Sequence, residues 1–213
     1  MLDINFAQIF IAFLVLVFSL TVHESAHAWA ADRLGDPTGR RLGRVSLNPA
    51  VHIDPVGTLL FPLLAMLTHL PIIGWARPVP VDTRRLRNGR RDFLVIAAAG
   101  PVSNLALAVL AALALRLVAF GPDTVARLNL SFPLALLLTS ALEINLLLAI
   151  FNMIPVPPLD GSSVLAGVVP EGLAGRLDRL RPYGFLVLYA LMLTGALSYL
   201  VGPPFVWILK WLL

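Results

Sequence analysis

Long stretches with almost no formal charge divide the chain into five apolar segments. They cover residues 4–22, 55–76, 93–115, 132–151 and 183–209. Because about 20 apolar residues span a bilayer, three or four of these segments are predicted to be helices that cross a membrane. The fourth carries one acid, Glu143, and the last contains the run Gly202, Pro203 and Pro204, where we expect the helix to break.

The second segment, residues 55–76, differs from the others because its three prolines make it a poor straight helix. Arginines flank it on both sides: Arg33, Arg40, Arg41 and Arg44 precede it, and Arg77, Arg84, Arg85, Arg87, Arg90 and Arg91 follow it. Basic residues concentrate on the cytoplasmic side of membrane proteins, so a single crossing would place one cluster on the opposite side. The sequence therefore predicts that this segment enters the membrane and returns, or packs as a broken element. Both clusters would then be cytoplasmic and the N-terminus would lie outside.

Two short loops carry weak strand patterns. In residues 39–47 and 76–82, valines and leucines partly alternate with other residues, and Pro78 and Pro80 confine the second loop to a sheet edge or an irregular extended segment. We expect an all-α polytopic membrane protein with about five to six membrane-embedded segments and short extended or β segments in these two loops. No internal repeat or linker divides the chain, so residues 1–213 are predicted to form a single membrane domain.

The composition supports a membrane protein. Of the 213 residues, 58% are hydrophobic and 13% are charged, whereas a soluble globular domain carries about 25% charged residues. This composition excludes a disordered chain and argues against a water-soluble core. The absence of cysteine excludes disulfides, thiolate metal ligands and a cysteine nucleophile. The first apolar segment has no basic residue before it and no small-residue cleavage site after it, so we expect it to remain as an anchor.

The net charge of +4 does not indicate a nucleic-acid partner. Most of the basic residues lie in the two arginine clusters around residues 55–76, and no aromatic residues are interleaved among them. The bias of basic residues toward the cytoplasmic side of membrane spans explains these clusters, and no nucleic-acid-binding motif frames them. We therefore predict a lipid bilayer, and no nucleic acid, as the surroundings of this chain.

An HExxH motif, formed by His23, Glu24 and His27, stands at the end of the first apolar segment. Residues four apart lie on one face of a helix, so the two imidazoles can hold one zinc ion while Glu24 acts on water as a general base. Polar and ionisable residues inside an apolar helix are costly unless they are paired or bind a metal. The alternative, a polar helix end at the level of the lipid headgroups, has to explain all three residues by coincidence.

Asp160 is the candidate for a third metal ligand. It follows three prolines, Pro155, Pro157 and Pro158, that end the preceding helix, and it precedes Gly161, which permits an unusual backbone dihedral. Irregular backbone beside apolar helices is tolerated where it is buried in protein or lines a wet cavity, and a carboxylate held there suits a metal. The alternative is an aspartate that caps a helix or closes a turn.

Other ionisable residues are weaker candidates. His52 and His69 each stand alone, and an isolated histidine is more often a hydrogen-bonding structural residue than a ligand. Glu143 lies in an apolar run two positions before Asn145, where it would face that amide or a wet cavity, or be neutral and hydrogen-bonded.

Three ordered motifs resemble a known family. They are the HExxH motif at 23–27, Gly100-Pro101 at the start of a later helix, and NxxPxPPLDG at 152–161. Together they resemble the site-2 proteases, the intramembrane zinc metalloproteases of the peptidase M50 family. No polar insert long enough for a PDZ or CBS domain is visible, so the resemblance implies a minimal member.

The resemblance implies a role for each motif residue. His23, His27 and Asp160 would hold one Zn²⁺ ion, and Glu24 would be the catalytic acid and base. Asn104 and Asn152 would line the substrate path. The family's active site faces the cytoplasm, which agrees with the orientation that the arginines predict, and a multi-pass protein of the plasma membrane is expected.

The implied reaction is regulated intramembrane proteolysis, in which a peptide bond of a transmembrane or membrane-proximal segment is hydrolysed. The partners would be substrate helices of other membrane proteins, which must unwind before cleavage because a helix hides its peptide groups in hydrogen bonds. Two alternatives stay open. An unrelated membrane-anchored zinc protease would take a glutamate as third ligand, for which only Glu143 and Glu171 remain, and a metal or ion transporter would need no general base.

Overall fold

The computed structural model describes residues 6–68, 74–120 and 131–213. These residues form helices joined by irregular segments, and they contain no β-strand. The helices are α1 (Phe6–Arg33), α2 (Thr38–Arg41), α3 (Phe61–Thr68), α4 (Arg90–Phe120), α5 (Ser131–Asn152), α6 (Asp160–Val168), α7 (Glu171–Leu180), α8 (Gly184–Leu193) and α9 (Ala196–Leu212). The all-α class predicted from the sequence is confirmed for the described part of the chain.

Three helices, α1, α4 and α5, are long and apolar enough to cross a membrane. A fourth span is present if the bent pair formed by residues 171–193 and α9 counts as one crossing. The apolar stretch Pro55–Thr68 is shorter. The described residues therefore supply three or four spans, and the larger number of five to six embedded segments is not confirmed.

Helix α4 lies at the centre of the molecule, where it contacts α1, α5 and α6. Its buried Ala108, Ala111 and Ala112 pack against Leu142 and Leu146 of α5. Small side chains let membrane helices approach closely, and packing is a main source of their association. This close packing fixes the relative positions of the three long helices, and therefore of the side chains that project between them.

The last apolar segment breaks at a different place from the one predicted. Helix α9 continues through Gly202, Pro203 and Pro204, whereas the chain bends by 78° between Leu193 and Ala196. Gly195 has a φ of +76° at this bend, a conformation that glycine adopts without the penalty of a side chain. The predicted break at 202–204 is therefore wrong, because prolines are tolerated in membrane helices where local adjustments satisfy the freed backbone groups.

The segment 55–76 returns to its starting point. The N–H of Trp75 donates to the carbonyl of Gly57 at 3.0 Å, and the N–H of Arg77 donates to the carbonyl of His52 at 2.9 Å. Gly74 lies so close to this turn that a Cβ atom there would be 2.5 Å from the Gly57 oxygen. The beginning and the end of the segment are thus side by side, as expected for a returning segment. His69 and Pro71 lie outside the described residues.

The two arginine clusters meet at Arg44 and Arg77. Buried Arg44 of the first cluster donates hydrogen bonds to the carbonyls of Val51 and Arg77, the latter at 3.3 Å. Burial and the positive charge of Arg77 lower the pKa of the Arg44 guanidinium. Arg77 belongs to the second cluster, so the two clusters are in contact here. A segment 55–76 that returns to its starting point accounts for this contact.

The strands predicted at 39–47 and 76–82 are wrong for the described structure. Asp36 accepts hydrogen bonds from the N–H and the hydroxyl of Thr38, and this local bonding starts the helical turn α2 instead of an extended chain. Residues 74–82 are irregular, and Pro78 and Pro80 lack the N–H groups that a strand ladder requires.

Candidate metal centre

Three potential metal ligands meet between α1 and the start of α6. His23 and His27 lie one turn apart in α1, and both are buried. Their Nε2 atoms are 3.0 Å apart. The Oδ2 atom of Asp160 lies 3.1 Å from the Nε2 atom of His23 and 3.4 Å from that of His27. The structure thus brings together the three residues that the sequence proposed as ligands, and this group could hold one metal ion.

A proline-rich turn carries Asp160 to the histidines. Helix α5 ends at Asn152, and α6 begins at Asp160 itself. A Cβ atom on Gly161 would lie 2.3 Å from the carbonyl oxygen of Met153, so only glycine fits where the turn folds back on the end of α5. Gly161 does not have a positive φ. The reason for glycine here is close approach of the backbone, and not the unusual dihedral expected from the sequence.

Gly100 of α4 packs directly against both imidazoles. A Cβ atom at this position would lie 2.4 Å from the Nε2 atom of His27 and 2.6 Å from that of His23. Glycine therefore leaves the space in which the two rings stand. The Gly100-Pro101 motif belongs to the site because it lets α4 approach α1 at the level of the histidines.

The hydrogen bonds of the two histidines leave their Nε2 lone pairs free. The Nδ1 atom of His27 donates to the carbonyl of Ile96 at 2.7 Å, and the Nδ1 atom of His23 donates to Oδ1 of Asn104 at 2.6 Å. A neutral imidazole with its proton on Nδ1 has an unprotonated Nε2. Buried Oδ2 of Asp160 accepts no hydrogen bond within the described chain, so three potential ligand atoms face one another, and a cation between them would satisfy all three.

The spacing of these atoms fits a tetrahedral ion. Ligand atoms at the usual zinc distances of about 2.0–2.2 Å lie roughly 3.3–3.6 Å apart when the geometry is tetrahedral, close to the separations found here. The three observed separations run from 3.0 to 3.4 Å. Two imidazole nitrogens and one carboxylate oxygen are also a donor set that catalytic zinc takes, with a fourth position left open.

A cavity of about 730 Å³ opens beside the three ligands. Half-buried Glu24 lines it next to His23. Much of the remaining wall is apolar, formed by Leu20, Trp75, Phe93, Ile96, Leu148, Phe151, Leu159, Phe185 and Leu188. The irregular segment 74–82 contributes Gly74, Ala76, Pro78, Val79 and Val81 to the lining. The cavity is therefore lined by Glu24, by the three potential metal ligands and by a largely apolar wall.

The two asparagines proposed for the substrate path occupy different places. Asn152 lines the cavity and donates to the carbonyl of Leu148 at 2.9 Å. Asn104 is fully buried behind His23, and the cavity lining does not include it. Sequence reasoning assigned no role to Asn145, whose side chain contacts Asn104. The sequence feature that could have identified Asn145 is an amide side chain within an apolar run, because a buried polar group needs a hydrogen-bond partner.

The remaining candidates lie away from the ligands. The Nε2 atom of His52 is 2.9 Å from the carbonyl oxygen of Ser46, so this buried histidine holds the loop before the returning segment. Glu143 is exposed on α5 and does not line the cavity. His69 is not among the described residues. Neither His52 nor Glu143 belongs to the metal-ligand group found among the described residues.

Comparison with known proteins identifies the family. No family sequence model and no solved structure matches the chain. The chain is 37% identical over 191 residues to "Putative zinc metalloprotease YwhC" of Bacillus subtilis (strain 168), across 89% of this chain and 83% of that protein. It is 32% identical over 184 residues to "Putative zinc metalloprotease Rip2" of Mycolicibacterium smegmatis, across 85% of this chain and 66% of that protein. The chain belongs to the family of these relatives, the site-2 protease family that its motifs resemble.

Proposed function

We propose that this protein is a zinc metalloprotease that hydrolyses peptide bonds in transmembrane or membrane-proximal segments of other proteins. The observation that carries the proposal is the meeting of three potential ligand atoms with Glu24 at one largely apolar cavity between helices long enough to cross a membrane. The names of the relatives support the same chemistry.

His23, His27 and Asp160 would hold one zinc ion. When bound, zinc supplies Lewis acidity, which polarises the carbonyl of a peptide bond and lowers the pKa of water. The chain's own contribution is to hold the two imidazoles with Nε2 toward the ion, through the hydrogen bonds of both Nδ1 atoms, and to present the Asp160 carboxylate opposite them.

Glu24 is proposed as the general base and acid. Its position beside His23 on α1 places its carboxylate on the wall of the cavity that holds the ligands. A carboxylate there takes a proton from the attacking water and returns it to the leaving amine, a contribution of about 10²–10⁴ in rate.

The irregular segment 74–82 is proposed to hold the unwound substrate. The backbone N–H groups of Ala76 and Val79, both at the cavity, donate no hydrogen bond in the described chain. An extended peptide could pair with such groups along an edge. Of the two loops considered from the sequence, this one is favoured because no residue of 39–47 lines the cavity.

The active site is proposed to face the cytoplasm from the plasma membrane. The histidines lie in the C-terminal half of α1, which ends at Arg33, and both arginine clusters lie on that side. The bias of basic residues toward the cytoplasm supports this orientation.

The test compares wild type and Glu24→Gln in the native host and as purified protein. We expect single-span membrane proteins to accumulate uncleaved with the variant, while the purified variant binds zinc as wild type does. Cleavage that persists in Glu24→Gln would remove the general base from the proposal. Zinc transport into vesicles that is unchanged by the substitution, without any accumulating substrate, would favour the transporter instead.

A further inference from the structure

A line of buried side-chain hydrogen bonds links α5 to the metal centre. The Nδ2 atom of Asn145 donates to the carbonyl of Ala141 at 2.8 Å, and Oδ1 of Asn145 accepts from Nδ2 of Asn104 at 2.9 Å. Asn104 also donates to the carbonyl of Ser19 at 3.3 Å and accepts from His23 Nδ1 at 2.6 Å. Both amides are buried, with exposed fractions of 0% for Asn104 and 2% for Asn145.

Two backbone carbonyls set the direction of every bond in this line. A carbonyl oxygen can only accept, so Ala141 requires the NH₂ group of Asn145 on its side and turns the Asn145 oxygen toward Asn104. The Asn145 oxygen and the Ser19 carbonyl then take the two protons of the Asn104 amide. The Asn104 oxygen is left to face His23, so Nδ1 of the imidazole carries a proton, and in the neutral ring its Nε2 is then a free lone pair.

The second histidine ligand is held differently. His27 donates its Nδ1 proton straight to the carbonyl of Ile96, so the backbone of α4 fixes its tautomer without any side chain. Only His23 depends on a line of side chains, and a change in that line should affect His23 while leaving His27 as it is. His27 is therefore an internal control for changes that affect His23.

We infer that Asn104 and Asn145 are positioning residues that fix the tautomer and orientation of His23 and so set the affinity for zinc. Asn145 acts through Asn104, because it contacts neither the imidazole nor the cavity. The statement about zinc rests on the proposed function, whereas the statement about the tautomer does not. Partners of this kind behind a metal ligand are typically worth about 10–100-fold in metal affinity.

Three substitutions separate positioning from packing. Asn145→Leu keeps a side chain of similar length but removes the acceptor for Asn104, so we expect zinc affinity to fall about tenfold. Asn145→Asp, when neutral, keeps one oxygen for Asn104 and offers an O–H to Ala141, so we expect it to retain most of the affinity. Leu142→Ala removes buried packing of the same helix against α4 without changing any hydrogen bond of the line, and zinc affinity should not change.

The experiment combines zinc competition against a chelator with NMR of ¹⁵N-labelled histidine in the full-length protein. The spectra are recorded without zinc, at a pH high enough for both imidazoles to be neutral. We expect the Nδ1-protonated tautomer for His23 and His27 in wild type. In Asn145→Leu we expect mixed tautomers for His23 only, with recovery in Asn145→Asp.

Several results would overturn this inference. These are an Nε2-protonated His23 in wild type, unchanged zinc affinity in Asn145→Leu, equal loss in Asn145→Leu and Asn145→Asp, or a joint change of both histidines. The wild-type spectrum decides the matter even where a variant fails to fold. Failure of the proposed protease function would appear separately, as an absence of cleavage with the tautomers and the zinc affinities still as expected.

Discussion

The two walls of the cavity are built in opposite ways. The ligand wall consists of α1, α4, α5 and the start of α6, which carries Asp160; its buried imidazoles and amides bond to fixed partners, and Gly100 lets α4 pack against the imidazoles. The proposed substrate wall is the irregular segment 74–82, whose Ala76 and Val79 N–H groups lack partners in the described chain. Both Nδ1 atoms and the amides behind His23 have hydrogen-bond partners where the ligands must keep their geometry, whereas two backbone N–H groups are open where we propose that a substrate binds.

The substrate wall is nevertheless held at its ends. Near its start, Arg77 bonds to the His52 carbonyl, and at its other end the N–H of Asp82 donates to buried Oδ2 of Asp36 at 2.7 Å. Hydrogen bonding from Arg84 lowers the pKa of Asp82 to about 2, so this carboxylate stays ionised at neutral pH. Segment 74–82 is thus held at both ends, while N–H groups between the ends are free to pair with an unwound peptide, as the proposed substrate binding requires.

The largest expected effect follows from breaking the ligand wall at Asp160. Asp160→Asn replaces the anionic ligand oxygen with a neutral amide, so one of three ligands loses its charge and most of its affinity for zinc. We expect the zinc content of the purified protein to fall below one tenth of the wild-type value and cleavage to be undetectable. Wild-type zinc content in this variant would remove Asp160 from the metal site.

The next effect comes from filling the space between α4 and the imidazoles. In Gly100→Ala the new Cβ would be closer than 3 Å to both Nε2 atoms, so the two rings or α4 must shift and the spacing of the ligands must change. We expect zinc affinity to fall at least tenfold, measured by chelator competition. Gly202→Ala is the matched control, because a Cβ there meets no atom within 4 Å; equal losses in the two variants would contradict the steric explanation.

The smallest effect tests the substrate wall alone. Val79→Pro removes one free N–H and should reduce cleavage about two- to tenfold, since one hydrogen bond contributes about 0.5–1.5 kcal/mol. Zinc affinity should not change, because Val79 contacts no ligand. Val79→Ala keeps the N–H and serves as control. If the alanine variant loses as much cleavage as the proline variant, the side chain matters and the edge pairing does not.

Sequence reasoning succeeded where a local pattern determines the geometry. Four-residue spacing on a helix places His23 and His27 on one face, and the arginine clusters indicated a returning segment before its ends were seen to meet. It was less successful where the outcome depends on distant contacts. The link from Asn145 to His23 crosses three helices, and no spacing along the chain encodes it.

The errors have the same origin. A partial alternation of valines suggested strands at 39–47 and 76–82, but a strand needs a partner to complete its hydrogen bonds, and the sequence names none. Prolines suggested a break at 202–204, whereas the break occurs where Gly195 takes a positive φ. In each case a local residue preference supported the prediction, but contacts with the rest of the chain determined the structure that forms.

Zinc analysis and zinc X-ray absorption on one purified sample of the wild-type protein test the central claim most directly. The account predicts one zinc per chain, bound by two imidazole nitrogens and a carboxylate oxygen at about 2.0–2.2 Å. A protein that cleaves membrane substrates without zinc, or a bound zinc whose spectrum lacks imidazole ligands, would contradict it.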